Sequence, residues 1–231
     1  VPAEQFVTVS LPSSGTPALW AALATAGRDL TGDVRVVVLH GDADDFFDAT
    51  PLDGSNRDSS DPDSSDAGSS DAGSSDAGSS DAEPPAAAIE WLGRPDLITV
   101  AAVSGRATGA GLDVALACDL RIVSDDAQLS ASRSIGSIGR LGELMGAPGA
   151  LTFVLAGEPI SGGQAVASGL ANLSVPPEKL DAAVAEMVAT VLRTPREVAT
   201  VAKAVLRASA TDPVRLADEL VSGIRLAANE P

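Results

Sequence analysis

The sequence predicts an α/β fold with a parallel sheet, and three observations carry that expectation. Apolar runs of strand length recur at Val34–His40 and Leu97–Val103, helical stretches alternate with them, and a Gly-rich turn, SGRATGAG, leads from the second run straight into a helix. Strands alternating with helices build parallel β/α units, whose reactive groups gather at the carboxyl ends of the strands.

Taken in order, Phe6–Leu11 places Val7, Val9 and Leu11 on one face at period two, as a half-buried strand does. Ala18–Leu30 reads as a helix, and Val34–His40 is a β-branched run suited to a fully buried strand. Ala86–Leu92 is a short helical piece that ends at the Arg94-Pro95 break. Leu97–Val103 is the next buried strand, the helix after the Gly-rich turn runs through Ala117, and Leu120–Val123 is a further short strand. From Leu141 onward the chain reads as almost wholly helical. Ser161-Gly-Gly-Gln164 fits a capping box, and Asp212-Pro213 sets a cap and a first-turn proline before a last helix. From Glu178, the residues Leu180, Ala183, Val184, Met187, Val188, Val191 and Leu192 keep helical spacing and form packing surface.

At 231 residues and 45% apolar content, the chain suits one principal domain with a buried core. Its net charge of −17 is largely local, because residues 42–83 hold thirteen acidic residues against the single base Arg57. That segment includes SSDAG three times over, from Ser64 to Gly78, closed by SSDAE. A stretch with so little apolar surface cannot offset its ordering entropy, so residues 58–83 are expected to be a flexible, self-repelling excursion within one architecture. Their aspartates fall every five residues without the glycine and terminal glutamate of a calcium loop, and no metal site is assigned. No basic footprint for nucleic acid is present, no apolar run approaches a membrane span, and residues 1–30 lack a leader pattern. A cytoplasmic location, without membrane or nucleic-acid partners, is the expectation. Cys118, the only cysteine, lies in VALACDL and reads as a small buried hydrophobe.

Chemistry concentrates in the turn Gly105–Asp113. Gly109 and Gly111 let the backbone approach a ligand closely, and the N–H of Ala110 opens a helix with no intrahelical partner, facing where negative charge could develop. Asp113 lies three residues on, along the same helical face; it either acts chemically or merely complements the helix dipole. His40, the only histidine, ends the second strand at the ligand-gathering edge, in a structural or a chemical role. The Gly-rich SIGSIGRLGELMG lacks the Gly-Lys-Ser/Thr ending of a phosphate loop. Arg28, Arg35 and Lys203 are candidates for phosphate contact or for plain solvated surface.

Three blocks, VRVVVLHGDADDFFDATPL, ITVAAVSGRATGAGLDVALACDLRIVSDDAQL and LAGEPISGGQAVASGLANLSVP, resemble in order and spacing the signatures of the crotonase superfamily, the enoyl-CoA hydratase/isomerase family. The resemblance implies a crotonase-like spiral of ββα units with a C-terminal helical region. Residues 1–160 would form the core, interrupted by the repeat at 58–83, and residues 161–231 a trimerisation region. It also implies trimers or hexamers, acyl-CoA thioesters as ligands in fatty acid metabolism, lyase or isomerase chemistry, and no cofactor beyond the CoA of the substrate. Two backbone N–H groups would polarise the thioester carbonyl as an oxyanion hole; matched by motif they belong to Thr50 and Ala110, with Ala49, Gly109 and Gly111 lining the substrate.

The sequence departs from the family pattern in several places. Ala49 stands where the pattern has a glycine, and Pro51 where it has an acid. Asp113 replaces one glutamate of the hydratases and Arg133 falls at the second. The loop between Arg133 and Arg140 is short, as is the Pro12–Leu19 stretch. Arginine cannot serve as a base, and a carboxylate beside a guanidinium favours its ionised form, which accepts a proton and seldom donates one. Ordinary hydration, which needs two proton-transfer groups, is therefore not expected. A divergent acyl-thioester enzyme with Asp113 and Arg133 in its site, and a non-catalytic acyl-CoA-binding or scaffold subunit, are the two readings that remain.

Overall fold

The computed structural model describes residues 5–12, 15–41, 44–48, 86–131 and 135–211. Two sheets organise them. The larger has five strands in the order β1 (Phe6–Leu11), β2 (Val36–Gly41), β3 (Ile98–Val103), β5 (Leu120–Ser124), β8 (Leu173–Val175), all parallel. The smaller has the order β4 (Arg106–Thr108), β6 (Gln128–Ser130), β7 (Ile160–Ser161), with β4 and β6 parallel and β7 antiparallel.

The connections make the spiral. Strand β3 lies in the large sheet, β4 in the small one, and helix α3 (Ala110–Ala117) follows; β5, β6 and helix α4 (Ile135–Ala156) repeat that turn one strand further along. Ala101 opposite Arg121 in the large sheet and Ala107 opposite Leu129 in the small one mark the two turns in register. This is the α/β spiral of ββα units expected from the sequence. Helix α1 (Thr16–Asp29) buries Leu19, Trp20 and Leu23, and the short helix α2 (Ala86–Ile89) runs into a 3-10 turn that buries Trp91 and Leu92. The central strands are apolar on both faces, as strands covered on both sides must be.

Beyond residue 156, helices α5 (Gly162–Ala167), α6 (Leu180–Arg193) and α7 (Arg196–Thr211) dominate, but β7 and β8 interrupt the helical reading. At two and three residues, those strands are too short to show an alternating pattern. Ser161 caps α5 through the expected box, its hydroxyl accepting from Gln164 N–H while the Gln164 side chain accepts from Ser161 N–H. The apolar stripe of α6 packs on the large sheet, with Leu180 and Val188 buried against Val36, Val100 and Ile122.

The glycine-rich segment read as a shortened loop is instead the start of α4, which runs from Ile135 and kinks at Gly146 (φ 74°), ahead of Pro148. Packing overrides its poor helix propensity, since Ser137 and Leu141 are buried. The repeat at 58–83 and the Asp212-Pro213 cap lie outside the described residues. Among the described residues, no helix is long and apolar enough to cross a membrane, and no group of acidic, histidine or cysteine side chains could hold a metal ion.

Candidate active site

Between β3 and α3 the chain turns twice, and glycines make both turns. Gly109 caps α3 at φ 51°, in the region that side chains disfavour. Gly111, one turn-step later, has Phe47 so close that a Cβ would lie 2.7 Å from Phe47 Cβ and 2.8 Å from its carbonyl oxygen. A larger residue at 111 would push the segment after β2 away from the helix start. Ala110 is buried between them, and as the first residue of α3 its N–H has no carbonyl four residues earlier within the helix.

Phe47 pairs with Ala107 as a parallel bridge on one side of β4, and β6 pairs with β4 on the other, with Ser130 opposite Thr108. The small sheet therefore gathers three chain segments side by side: the one leading to Ala49 and Thr50, the one leading to Ala110, and the one leading to Arg133. Ala49, Thr50 and Arg133 themselves lie outside the described residues. Gly109, Ala110, Gly111 and Asp113 are brought together at the start of α3.

Asp113 is half-buried, and its Oδ1 accepts a hydrogen bond from the hydroxyl of Ser137 on α4. Ser137, itself buried, went unrecognised in sequence because its segment reads as a loop. The bond ties the Asp113 carboxylate on α3 to α4.

The far end of α3 is fastened by arginines. Buried Arg121 donates through Nη1 to the carbonyls of Cys118 (2.7 Å) and Ala115 (3.3 Å), and through Nε to that of Leu170 (2.6 Å). Burial pulls its guanidinium down to about 10, which still leaves it charged at neutral pH. Arg140 donates to Leu116 O (3.3 Å) and Arg207 to Ala117 O (3.4 Å). Cys118 is fully buried and its thiol is pushed up to about 12 by desolvation, so it is inert.

The other three candidate cations and His40 are bonded within the protein. Lys203 is neither a phosphate contact nor solvated surface: it is buried, and its Nζ donates to Leu97 O (2.7 Å), Leu92 O (3.0 Å) and Asp119 Oδ2 (2.7 Å). A lone lysine on an exposed-looking helix gives no sign in sequence of the carbonyls it meets. Arg35 donates to Leu192 O and Thr194 O at the end of α6, and Arg28 to Thr25 Oγ1. His40 Nδ1 lies 2.6 Å from the carbonyl of neighbouring Gly41, a structural contact.

The family model described as Enoyl-CoA hydratase/isomerase matches residues 80–222. The chain belongs to that family. Among solved structures, it resembles a protein of Thermobifida fusca YX in complex with CoA, at 28% identity and TM-score 0.73, over 97% of this chain and 89% of that one. The acetoacetyl-CoA complex from the same organism is 26% identical at TM-score 0.71, over 97% of this chain and 91% of the other. The glyoxysomal fatty acid β-oxidation multifunctional protein of Cucumis sativus is 41% identical over 88 residues, which are 35% of this chain and 12% of that protein. The chain thus matches only a small part of that multifunctional relative.

Proposed function

We propose that this member of the enoyl-CoA hydratase/isomerase family binds acyl-CoA thioesters and acts on them by removing a proton next to the thioester carbonyl. The carbonyl oxygen would sit between the N–H groups of Ala110 and Thr50, where enolate charge develops, with Ala49, Gly109 and Gly111 against the substrate. Asp113 would accept the proton, its carboxylate held by Ser137, while Arg133 orients Asp113 or a carboxylate of the substrate. CoA would enter as part of the substrate, with no separate cofactor. The observation that carries this reading is the close approach of Phe47 to Gly111, which puts the chain two residues short of Ala49 against the open end of α3. The Thermobifida fusca complexes with CoA and acetoacetyl-CoA support the ligand class. Identical chains would assemble as trimers or hexamers, consistent with Val198, Val201 and Leu155 being more than half exposed, and light scattering would report the mass.

Proton abstraction is readable without knowing the final product. Butanoyl-CoA incubated with the protein in D2O should exchange its C2 protons by NMR, Asp113→Asn should slow that exchange at least about 10²-fold, and crotonyl-CoA should remain unhydrated. Bound butanoyl-CoA with no exchange would leave the alternative, a non-catalytic acyl-CoA-binding subunit. Robust hydration that survives Asp113→Asn would defeat both readings.

A further inference from the structure

One arginine and two aspartates fasten the chain to the small sheet immediately before Ala49, and the acid–base reading makes no use of them. Arg106 opens β4. Its backbone N–H donates to Asp45 Oδ1 (2.7 Å), its Nη2 to Asp45 Oδ2 (3.0 Å), and its Nη1 pairs with Asp48 Oδ2 (2.8 Å). Thr108, two residues along and so on the same face of the strand, donates its hydroxyl to Asp48 Oδ1 (2.9 Å). Asp48 is buried, and a buried carboxylate is retained only when both its oxygens are matched, as these are. The backbone follows the same path: Phe46 N–H donates to Ser104 O (2.8 Å), Phe47 N–H to Arg106 O (3.0 Å) and Thr108 N–H to Phe47 O (3.1 Å). On the turn before β4, the space a Cβ would need at Gly105 is taken by Asp44 O and Asp45 Oδ1.

We propose that Asp48 and Arg106 are positioning residues of the acyl-thioester site. Their charge pair fixes how high the Phe47–Asp48 backbone sits over the first turn of α3, and with it the gap in which a thioester oxygen is polarised. The inference rests on the functional reading above and adds to it the device that sets the geometry. Misplacing a reacting group by about 1 Å can cost about 10²-fold in rate, so a shift of the Phe47–Asp48 backbone against the first turn of α3 would be felt in the rate. The Arg106 side chain is 53% exposed but its partner Asp48 is buried, so removing the cation also costs stability, whereas Asp48→Asn removes the charge without leaving a buried carboxylate unpaired. Asp48→Asn is therefore the variant that separates position from stability.

Asp48→Asn keeps the shape and can still accept from Thr108; Arg106→Met keeps the apolar stem; Arg106→Lys keeps the charge but not the fork. The readouts are thermal melting, the affinity for butanoyl-CoA, its rate of C2 deuterium exchange, and the infrared carbonyl stretch of bound butanoyl-CoA carrying 13C at the thioester carbon. Asp48→Asn is expected to melt close to the parent and Arg106→Met below it, and both to bind within about threefold of the parent. Their bound carbonyl frequency should return toward that of free ligand, and exchange should slow about tenfold or more. The double variant should be no worse than Arg106→Met alone, because that change already breaks the pair with Asp48 as well as the one with Asp45, and Arg106→Lys should recover part of the carbonyl shift. A carbonyl stretch in Asp48→Asn identical to the parent's overturns the positioning role, as do losses that multiply in the double variant. A parent that binds no butanoyl-CoA overturns the functional reading itself, and this inference with it.

Discussion

The two ends of α3 are built in opposite ways. At its carboxyl end, the carbonyls of Ala115, Leu116, Ala117 and Cys118 each receive an arginine, from Arg121, Arg140 or Arg207. At its amino end stand Gly109, Ala110 and Gly111, with no side-chain cap on the helix. Cations at the carboxyl end complement the negative pole of the helix dipole and hold the helix in place, whereas the positive pole is left facing the candidate site. The fold thus anchors one end of α3 with side chains and leaves the other without a side-chain cap. A short helix can offer its backbone N–H donors in a fixed place only if something else holds it.

Removing the anchor should have the largest effect. Arg121→Met leaves the carbonyls of Cys118, Ala115 and Leu170 buried without their donor, and is expected to cost about 3 kcal/mol or more in urea unfolding. A loss under about 1 kcal/mol would mean that α3 is not held through this residue. At the open end the effect should fall on rate and spare stability: Asp113→Asn is expected to lower C2 exchange by about 10²-fold at unchanged urea midpoint. Ser137→Ala, which removes the hydroxyl that orients Asp113, should lower kcat by about tenfold and leave KM nearly unchanged. An equal fall in affinity would point to a packing role for Ser137 instead.

The smallest effect is a pH dependence at the anchored side, where Lys203 ties α7 to Asp119. Burial holds the Lys203 ammonium below its usual 10.5, and Asp119 only partly offsets this. The native protein therefore releases this proton at lower pH than the unfolded chain does. Across the window from that lowered value up to 10.5 the unfolded chain binds more protons, so this group makes stability rise with pH. Urea midpoints of the parent minus those of Lys203→Met, measured through that window, should climb; a falling difference would show that the ion pair with Asp119 outweighs desolvation.

The same contrast separates what could be read from the sequence from what could not. The strands at Val36–Gly41 and Ile98–Val103 were legible because their apolar residues sit in unbroken runs, and the start of α3 because Gly109 and Gly111 punctuate it. Those are local signals. Asp48 and Arg106 lie 58 positions apart and meet only because Phe47 docks beside β4, so no periodicity announces them. Lys203 and Arg35 read as phosphate contacts or solvated surface, yet each ends on backbone carbonyls supplied by distant elements. Ser137 hid in a glycine-rich stretch whose helix exists through its packing against α3. Local patterning conveyed the frame and the open end of α3; the partners that fix both ends are long-range and became visible only in three dimensions.

The central claim is that the open end of α3 receives a thioester oxygen, and Ala110 tests it most directly. Ala110 is the first residue of the helix, where proline is sterically welcome, so Ala110→Pro removes one N–H while keeping the fold. Titrating butanoyl-CoA into both proteins by calorimetry should show binding to the parent and a loss of at least about tenfold in affinity in the variant, with C2 exchange abolished. Equal affinity and equal exchange in a folded Ala110→Pro protein would contradict the account.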